Sequence, residues 1–177
     1  MAEPIQILNA TAIHHAVNRI AHEIAERNQC SGEVVLLGIP SGGIHFAQRL
    51  AGVLAGICSH PVPVGSLDIT MHRDDLDTRA IPDVHPSSIP VDLTGKVVVL
   101  VDDVIFSGRT ARAALDALND LGRPRRIQLA ALIDRGHREL PITADFVGKS
   151  VPTAATEKID VRWKEAAGED QVLLLKP

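Results

Sequence analysis

The feature that most constrains the fold of this chain is an apolar run that does not alternate, Val97 to Val101. A strand exposed on one face alternates apolar and polar residues, so this run predicts a strand buried on both faces of a parallel sheet. Two carboxylates, Asp102 and Asp103, follow directly. Ligands of open α/β sheets bind outside the carboxyl ends of the strands, and the run therefore predicts a binding site there.

The loop after the two acids suits a phosphate group. It continues as Ser107-Gly108-Arg109-Thr110 and leads into a helical pattern that begins near Ala111. Hydroxyls, backbone N–H groups and a helix N-terminus together favour a phosphate, and the acids before them suit a ribose diol or a Mg²⁺-bound partner. A phosphorylated sugar fits both halves, although an ordinary strand–loop–helix connection with a capped helix is the alternative. Neither G-x-x-x-x-G-K-[ST] nor G-x-G-x-x-G occurs in the chain.

Composition limits the class of protein. The 177 residues predict a single domain over residues 1–177, and 45% apolar with 23% charged residues is typical of a soluble globular protein. A net charge of −4 argues against nucleic-acid binding over the whole surface but leaves room for a local basic patch. Aromatic residues make up only 2%, which disfavours base stacking on an aromatic platform.

The cysteines and the apolar runs bear on the compartment. Cys30 and Cys58 have no second thiol or histidine at metal-ligand spacing, so we expect free, reduced thiols in a cytoplasmic protein. No apolar run approaches 18 residues, and the N-terminus lacks a basic segment leading into an apolar one. Neither secretion nor membrane spanning is expected.

Strand and helix patterns alternate along the chain, which predicts a right-handed βαβ sheet. Helical spacing covers 11–28, 44–54 and 111–121, and strand patterns cover 34–39, 62–70 and 127–133. Residues 71–90 predict a long loop or hairpin of the kind that often forms a lid. Short apolar runs around Phe146, Val161 and 172–175 predict edge strands and a small accessory layer.

Three further segments are candidate parts of the same site. Small residues at Pro40-Ser41-Gly42-Gly43, between a strand and a helix, predict a pyrophosphate loop, or simply a turn. Arg73 lies on the predicted lid, where it could neutralise a departing anion, or it belongs to a solvated charge run. The segment Asp134-Arg135-Gly136-His137-Arg138 follows a predicted strand and could form a hood that recognises a base, although His137 could equally be a surface residue.

Together these segments resemble the PyrR family, whose members combine pyrimidine-operon attenuation with uracil phosphoribosyltransferase activity. The resemblance spans nearly the whole chain. The motifs that carry it are Arg19-Ile20-Ala21-His22-Glu23, Leu67-Asp68-Ile69-Thr70, Arg73-Asp74-Asp75, Ile89-Pro90-Val91-Asp92, Val101-Asp102-Asp103-Val104, Gly108-Arg109-Thr110, Gly122-Arg123-Pro124, Asp134-Arg135-Gly136-His137-Arg138-Glu139-Leu140-Pro141 and Gly148-Lys149. It implies a type I phosphoribosyltransferase fold: a mainly parallel central sheet flanked by helices, with a small hood and a flexible loop.

The resemblance also implies the reaction of uracil with phosphoribosyl pyrophosphate (PRPP) to give UMP and pyrophosphate, with Mg²⁺. We expect Asp102 and Asp103 to act on the ribose hydroxyls or on metal-bound waters, because Mg²⁺ keeps several waters and substrate oxygens instead of an all-protein cage. Residues Phe106, Ser107, Gly108, Arg109 and Thr110 should hold the 5′-phosphate, and Arg73 should meet the pyrophosphate. Phe106 stands where purine-using enzymes carry an Asp, which favours a pyrimidine.

Two departures from the family pattern leave two functions open. The family's pyrophosphate loop commonly has Lys-Thr-Arg-Gly where this chain has Pro40 to Gly43, so two cations are missing. Arg19, His22 and Lys149 are candidate contacts to an RNA stem-loop, or form a solvated face, while Asn18 and Thr143 replace the usual Thr and Arg. The protein is therefore expected to be a uracil phosphoribosyltransferase with a regulatory role, or mainly a UMP-sensing RNA-binding attenuator. A homodimer or larger homo-oligomer is expected in either case.

Overall fold

The computed structural model of the chain describes residues 3–74 and 86–177. The strands are β1 (Ile5–Leu8), β2 (Val34–Gly38), β3 (Val64–Ser66), β4 (Val97–Ile105), β5 (Arg126–Asp134), β6 (Phe146–Ser150), β7 (Lys158–Arg162) and β8 (Gln171–Leu175). The helices are α1 (Ala10–Asn28), α2 (Gly42–Cys58), α3 (Arg109–Asn119) and α4 (Lys164–Ala167), with a 3₁₀ turn at Thr70–His72.

A five-stranded parallel sheet in the order β3-β2-β4-β5-β6 forms the centre of the fold. Its middle strand is β4, whose residues Val97 to Val101 are all buried. Val101 lies opposite Gly38 of β2 on one side and Ala130 of β5 on the other. The predicted α/β fold with a mainly parallel central sheet, and the doubly buried strand at its middle, are confirmed.

The sheet separates two apolar cores because successive side chains of a strand point to opposite faces. Val97, Val99 and Val101 pack with α1 and α2, while Val98 and Leu100 pack with α3. The apolar face of α1, which includes Ile13, Ile20 and Ile24, is fully buried in the first of these cores. Both faces of the sheet are therefore covered, as a parallel sheet requires.

A second sheet of three antiparallel strands, β1-β8-β7, forms an accessory sheet beside the main sheet. Trp163, which follows β7 of the accessory sheet, stacks on Phe46 of α2 at 5.7 Å between ring centroids. Arg49 of α2 forms ion pairs with Glu165 and Asp170 at 2.6 and 2.7 Å, and these lower the pKa of both carboxyls. The predicted accessory layer thus exists, but the run around Phe146 forms the edge strand β6 of the main sheet.

Several predicted boundaries differ from the structure. The pattern over 62–70 gives only the short strand β3, which begins after Pro63, and the first residue of the 3₁₀ turn. Helices α2 and α3 begin two residues earlier than predicted, at Gly42 and Arg109. Ser66 and Ser88 form an isolated antiparallel bridge, with N–H···O distances of 3.0 and 2.9 Å. The middle of the predicted lid, residues 75–85, lies outside the described residues.

The prediction of two free thiols is wrong, because Cys30 and Cys58 form a disulfide across 28 residues of sequence. Cys30 lies just after α1 and Cys58 is the last residue of α2, and the two helices pack against each other. Their carboxyl ends therefore meet in space, which spacing along the chain does not reveal. A ring nitrogen of His60 lies 2.9 Å from the Cys30 carbonyl and ties the same two ends together.

Candidate active site

The site lies in the crevice where the neighbouring strands β2 and β4 end. A short loop joins β2 to α2, and the loop 106–108 joins β4 to α3, so two helix N-termini face one edge of the sheet. The N–H of Ile39 donates to the Val101 carbonyl at 2.8 Å and the N–H of Leu67 donates to the Gly38 carbonyl at 3.0 Å, which fixes the ends of these strands. This placement predisposes the crevice to anionic groups.

The glycines of the first loop allow it to lie against the acid pair. A Cβ atom at Gly42 would fall 1.9 Å from Oδ2 of Asp103, and one at Gly43 would fall 2.2 Å from the Val101 carbonyl oxygen. Only glycine fits either position. The predicted pyrophosphate loop, Pro40 to Gly43, therefore passes directly beside a predicted catalytic carboxylate.

Asp102 and Asp103 form a close pair at the end of β4. The N–H of Asp103 donates to Oδ1 of Asp102 at 2.9 Å. Burial raises the pKa of Asp102 well above its usual range and the charge of Asp103 adds to the shift, while the nearby Arg73 opposes it. Burial also raises the pKa of Asp103, and the negative charge of Asp160 on β7 raises it further. A pair that readily keeps a proton can both donate to and accept from a diol.

A cavity of about 200 Å³ lies between Arg73, Asp102 and the loop 106–110. It is lined by Arg73, Asp74, Asp102, Leu129 and residues 104–111. The structure thus brings together residues predicted from separate segments, which are Arg73, Asp102 and the loop from Phe106 to Thr110. Gly108 has a φ of +92°, a left-handed conformation that favours glycine and lets the chain turn into α3.

Within that loop Arg109 is already engaged. The Ser107 hydroxyl accepts from the N–H of Arg109 at 3.3 Å. The Arg109 guanidinium forms ion pairs with Asp74 and, at 2.8 Å, with Glu139, and both carboxylates raise its pKa. Sequence analysis assigned no role to either acid, and no signal in the sequence links them to Arg109.

The segment after β5 surrounds Phe106. The Arg135 guanidinium lies 4.2 Å from the centre of the Phe106 ring, and the His137 ring approaches its edge at 5.7 Å between centroids. Arg135 is buried and donates to the Thr153 hydroxyl and the Ala154 carbonyl, both at 3.1 Å. A ring nitrogen of His137 contacts the Thr153 carbonyl. Both side chains therefore connect the segment after β5 to residues 153 and 154, beside the exposed Phe106 ring.

Arg138 connects the hood segment, residues 134–138, to the loop 106–110. Its guanidinium donates to Asp134 and to the Phe106 carbonyl, both at 2.6 Å, and to the Ile142 carbonyl at 2.8 Å. Gly136 has a φ of +77°, and its N–H donates to Asp134 at 2.9 Å. The five predicted hood residues thus lie together at the carboxyl end of β5.

A second cavity, of about 430 Å³, lies beside this segment. It is lined by 134–137 and by 150–153, which comprise the last residue of β6 and the three residues after it. Sequence analysis missed the second group. The available signal was topological, since β6 is a parallel strand whose carboxyl end must lie at the same edge of the sheet as those of β4 and β5.

The candidate RNA contacts lie on α1 and β6. Arg19 pairs with Glu23 at 2.9 Å and donates to the Val147 and Gly148 carbonyls. His22 and Lys149 are exposed. The structure therefore brings the three predicted residues to one region of the surface, with Arg19 already bonded to the backbone of β6.

Within residues 3–74 and 86–177, no group of three or more His, Cys, Asp or Glu side chains is placed to hold a metal ion. The donor set at Asp102 and Asp103 fits Mg²⁺ that brings its remaining ligands as waters and substrate oxygens. Over the same ranges no helix has the length and apolar character needed to cross a membrane.

Comparison with known proteins agrees with this geometry. The family model described as phosphoribosyl transferase domain matches residues 5–166, and the chain belongs to this class of protein. A curated relative from Chloroflexus aurantiacus, named bifunctional protein PyrR, is 57% identical to this chain, and the match covers 99% of this chain and 97% of the relative. The relative from Thermus thermophilus is 56% identical, covering 96% and 94%. This chain is a member of the PyrR family, and the predicted resemblance is confirmed.

Solved structures with a similar fold include a hypoxanthine–guanine phosphoribosyltransferase from Bacillus anthracis, with a TM-score of 0.66 and 24% identity, covering 85% of this chain and 86% of that one. The hypoxanthine phosphoribosyltransferase of Trypanosoma cruzi gives a TM-score of 0.73 at 17% identity, covering 97% and 96%. At these identities the likeness concerns the fold alone, and it confirms the predicted type I phosphoribosyltransferase architecture.

Proposed function

We propose that this protein is a uracil phosphoribosyltransferase that also regulates a pyrimidine operon by binding its leader RNA. The reaction forms a bond between N1 of uracil, which loses its proton, and C1 of PRPP, while the bond from C1 to the pyrophosphate oxygen breaks. The observation that carries the proposal is a cavity lined by Arg73, Asp102 and the loop 106–110. Membership of the PyrR family supports the choice of reaction.

The loop 106–110 would bind the 5′-phosphate. Its contribution is the hydroxyls of Ser107 and Thr110 and the N-terminus of α3, whose first turn contains no acidic residue. Asp102 and Asp103 would bind the ribose hydroxyls, since a pair with raised pKa values can donate one proton and accept another. These contacts fix C1 of PRPP relative to the incoming base.

Pyrophosphate would lie between the loop 40–43 and Arg73. That loop has no cation and would bind through backbone N–H groups, as the close approach permitted by Gly42 and Gly43 allows. Mg²⁺, held by substrate oxygens and by waters on Asp102 or Asp103, would neutralise charge on the leaving group. Arg73 would add a second positive charge where negative charge develops.

Uracil would lie in the cavity beside the hood segment. Phe106 exposes 38% of its surface and presents an apolar ring without a carboxylate, which suits a pyrimidine better than a 6-oxopurine. Residues 134–137 and 150–153 line this cavity, and the polar edge of the base would contact them. The reaction has a loosely bonded ribosyl centre, so these positioning contacts would supply most of the catalysis.

A second candidate function is that the protein is primarily a UMP-sensing attenuator with weak catalysis. The observation that favours it is the absence of any cation from the loop 40–43, where a pyrophosphate must bind. The surface around Arg19, His22 and Lys149 would contact an mRNA stem-loop through charged edges and shape. Both functions place the protein in the cytoplasm, where the transcript and PRPP are, as a homo-oligomer.

The deciding experiment is a steady-state assay of UMP formation from uracil and PRPP with Mg²⁺, run beside binding of a pyrimidine-operon leader RNA with and without UMP. We expect UMP formation that depends on both substrates, and no reaction with hypoxanthine or guanine. Absence of UMP formation together with UMP-dependent RNA binding would exclude the enzyme and leave the attenuator.

A further inference from the structure

The phosphate loop carries an arginine whose charge is already neutralised by the protein itself. Asp74, at the start of the lid, and Glu139, in the segment after β5, both pair with the Arg109 guanidinium. The two carboxylates come from segments 35 and 30 residues away from Arg109. Asp74 also lines the cavity that contains the loop 106–110.

We propose that Asp74 and Glu139 occupy Arg109 in place of a phosphate and give it up when a phosphorylated ligand binds. This inference rests on the proposed function, because it takes the loop 106–110 to be the site of the 5′-phosphate. The two acids then set the affinity for PRPP and UMP. Binding of the phosphate also releases Asp74, which directly follows Arg73.

The exchange is favourable because the competing anions differ in charge and in solvent exposure. Each ion pair is exposed, with side-chain accessibility of 46% at Arg109, 43% at Asp74 and 55% at Glu139, so each holds only weakly. A phosphate carries between one and two negative charges and accepts parallel N–H···O bonds from a guanidinium. The stronger ligand therefore displaces two weak ones.

The backbone around Glu139 stays in place when its carboxylate lets go. The N–H groups of Glu139 and Leu140 donate to the Ser107 carbonyl at 2.9 and 3.2 Å, and Arg138 donates to the Phe106 carbonyl. Asp74 has a different consequence, since it directly follows Arg73, the arginine whose charge reaches Asp102. Phosphate binding at one end of the cavity thus changes how Arg73 is held at the other.

The test uses Asp74→Asn and Glu139→Gln, with Glu33→Gln as the matched control. Glu33 also pairs with an exposed cation, Lys96 at 2.7 Å, but it precedes β2 at the opposite edge of the sheet. At fixed ionic strength we measure the Kd of UMP and of inorganic phosphate by calorimetry, and the KM values of PRPP and uracil. We expect each variant to lower the UMP and phosphate Kd and the PRPP KM by about two- to tenfold. The KM of uracil and all values for Glu33→Gln should stay unchanged.

Repeating both substitutions in an Arg109→Ala background separates the exchange from simple removal of negative charge. The gain in affinity should vanish there, because no guanidinium remains to be released. Unchanged or weaker phosphate binding in the single variants, or a gain that persists without Arg109, would overturn the inference. If the wild-type protein makes no UMP but the variants still bind inorganic phosphate more tightly through Arg109, the proposed function fails and the exchange stands.

Discussion

The two loops of the crevice that we propose to bind anions occupy equivalent places and are built in opposite ways. Each follows a buried parallel strand and precedes a helix N-terminus, after β2 in one case and after β4 in the other. The loop 106–110 carries two hydroxyls and an arginine, whereas the loop 40–43 has no cation and depends on glycines that lie against Asp103 and Val101.

The difference shows that a helix N-terminus at a strand end can be specialised either by adding donors or by removing bulk. Side chains supply the contacts in the loop 106–110, so deleting a hydroxyl should weaken it. Backbone approach supplies the contacts in the loop 40–43, so adding a single methyl group should damage it. The first three variants that follow are ordered from the largest expected effect on activity to the smallest, and the fourth concerns stability.

Gly42→Ala should lower kcat/KM by about a hundredfold or more, because its Cβ would lie 1.9 Å from Oδ2 of Asp103 and displace that carboxylate. Gly52→Ala is the matched control, since it lies in the same helix and no atom would come within 4 Å of its Cβ. Steady-state kinetics with both substrates measure the effect. Equal activity of the two variants would show that the close approach is not needed.

Asp103→Asn should lower turnover by at least about tenfold, because an amide cannot replace a carboxylate toward a ribose hydroxyl or a metal-bound water. Asp116→Asn, an exposed position on α3, controls for loss of an acid. The kcat of each variant is measured at saturating uracil and PRPP. Wild-type turnover in Asp103→Asn would remove this residue from the site.

Thr110→Val should raise the KM of PRPP by about tenfold with little change in the KM of uracil, since a hydrogen bond to a charged group is lost from the loop 106–110. Thr156→Val, in an exposed loop, is the control. A change in both KM values alike would mean that Thr110 supports the fold of the site and not the phosphate.

Asp102→Asn should stabilise the ligand-free protein at neutral pH, raising Tm by about 2–4 °C. The pKa of Asp102 is raised in the folded protein, so its ionised form opposes folding at neutral pH and this penalty disappears as the pH falls toward about 4. Thermal melts of the variant and the wild type across this range measure the effect. A stability difference that is independent of pH would contradict it.

Local sequence predicted the centre of the molecule because burial and chemistry coincide there. The uninterrupted run at 97–101 and the acids that follow it locate β4, the crevice and the phosphate loop together. The accessory sheet was harder to predict, since β1 has only four residues and pairs with β8, which lies more than 160 residues later in the chain. The Cys30–Cys58 disulfide and the pairs of Arg109 depend on the same long-range packing, which residue patterns along the chain do not encode.

Arg138 has a consequence for how this scaffold could be altered. One guanidinium holds Asp134 in the segment beside the base cavity, the Phe106 carbonyl in the phosphate loop and the Ile142 carbonyl beyond them. If the proposed function holds, base preference and phosphate geometry are therefore coupled through a single side chain. A redesign that changes residues 134–138 to admit a larger base will also shift the phosphate contacts, and the two properties must be optimised together.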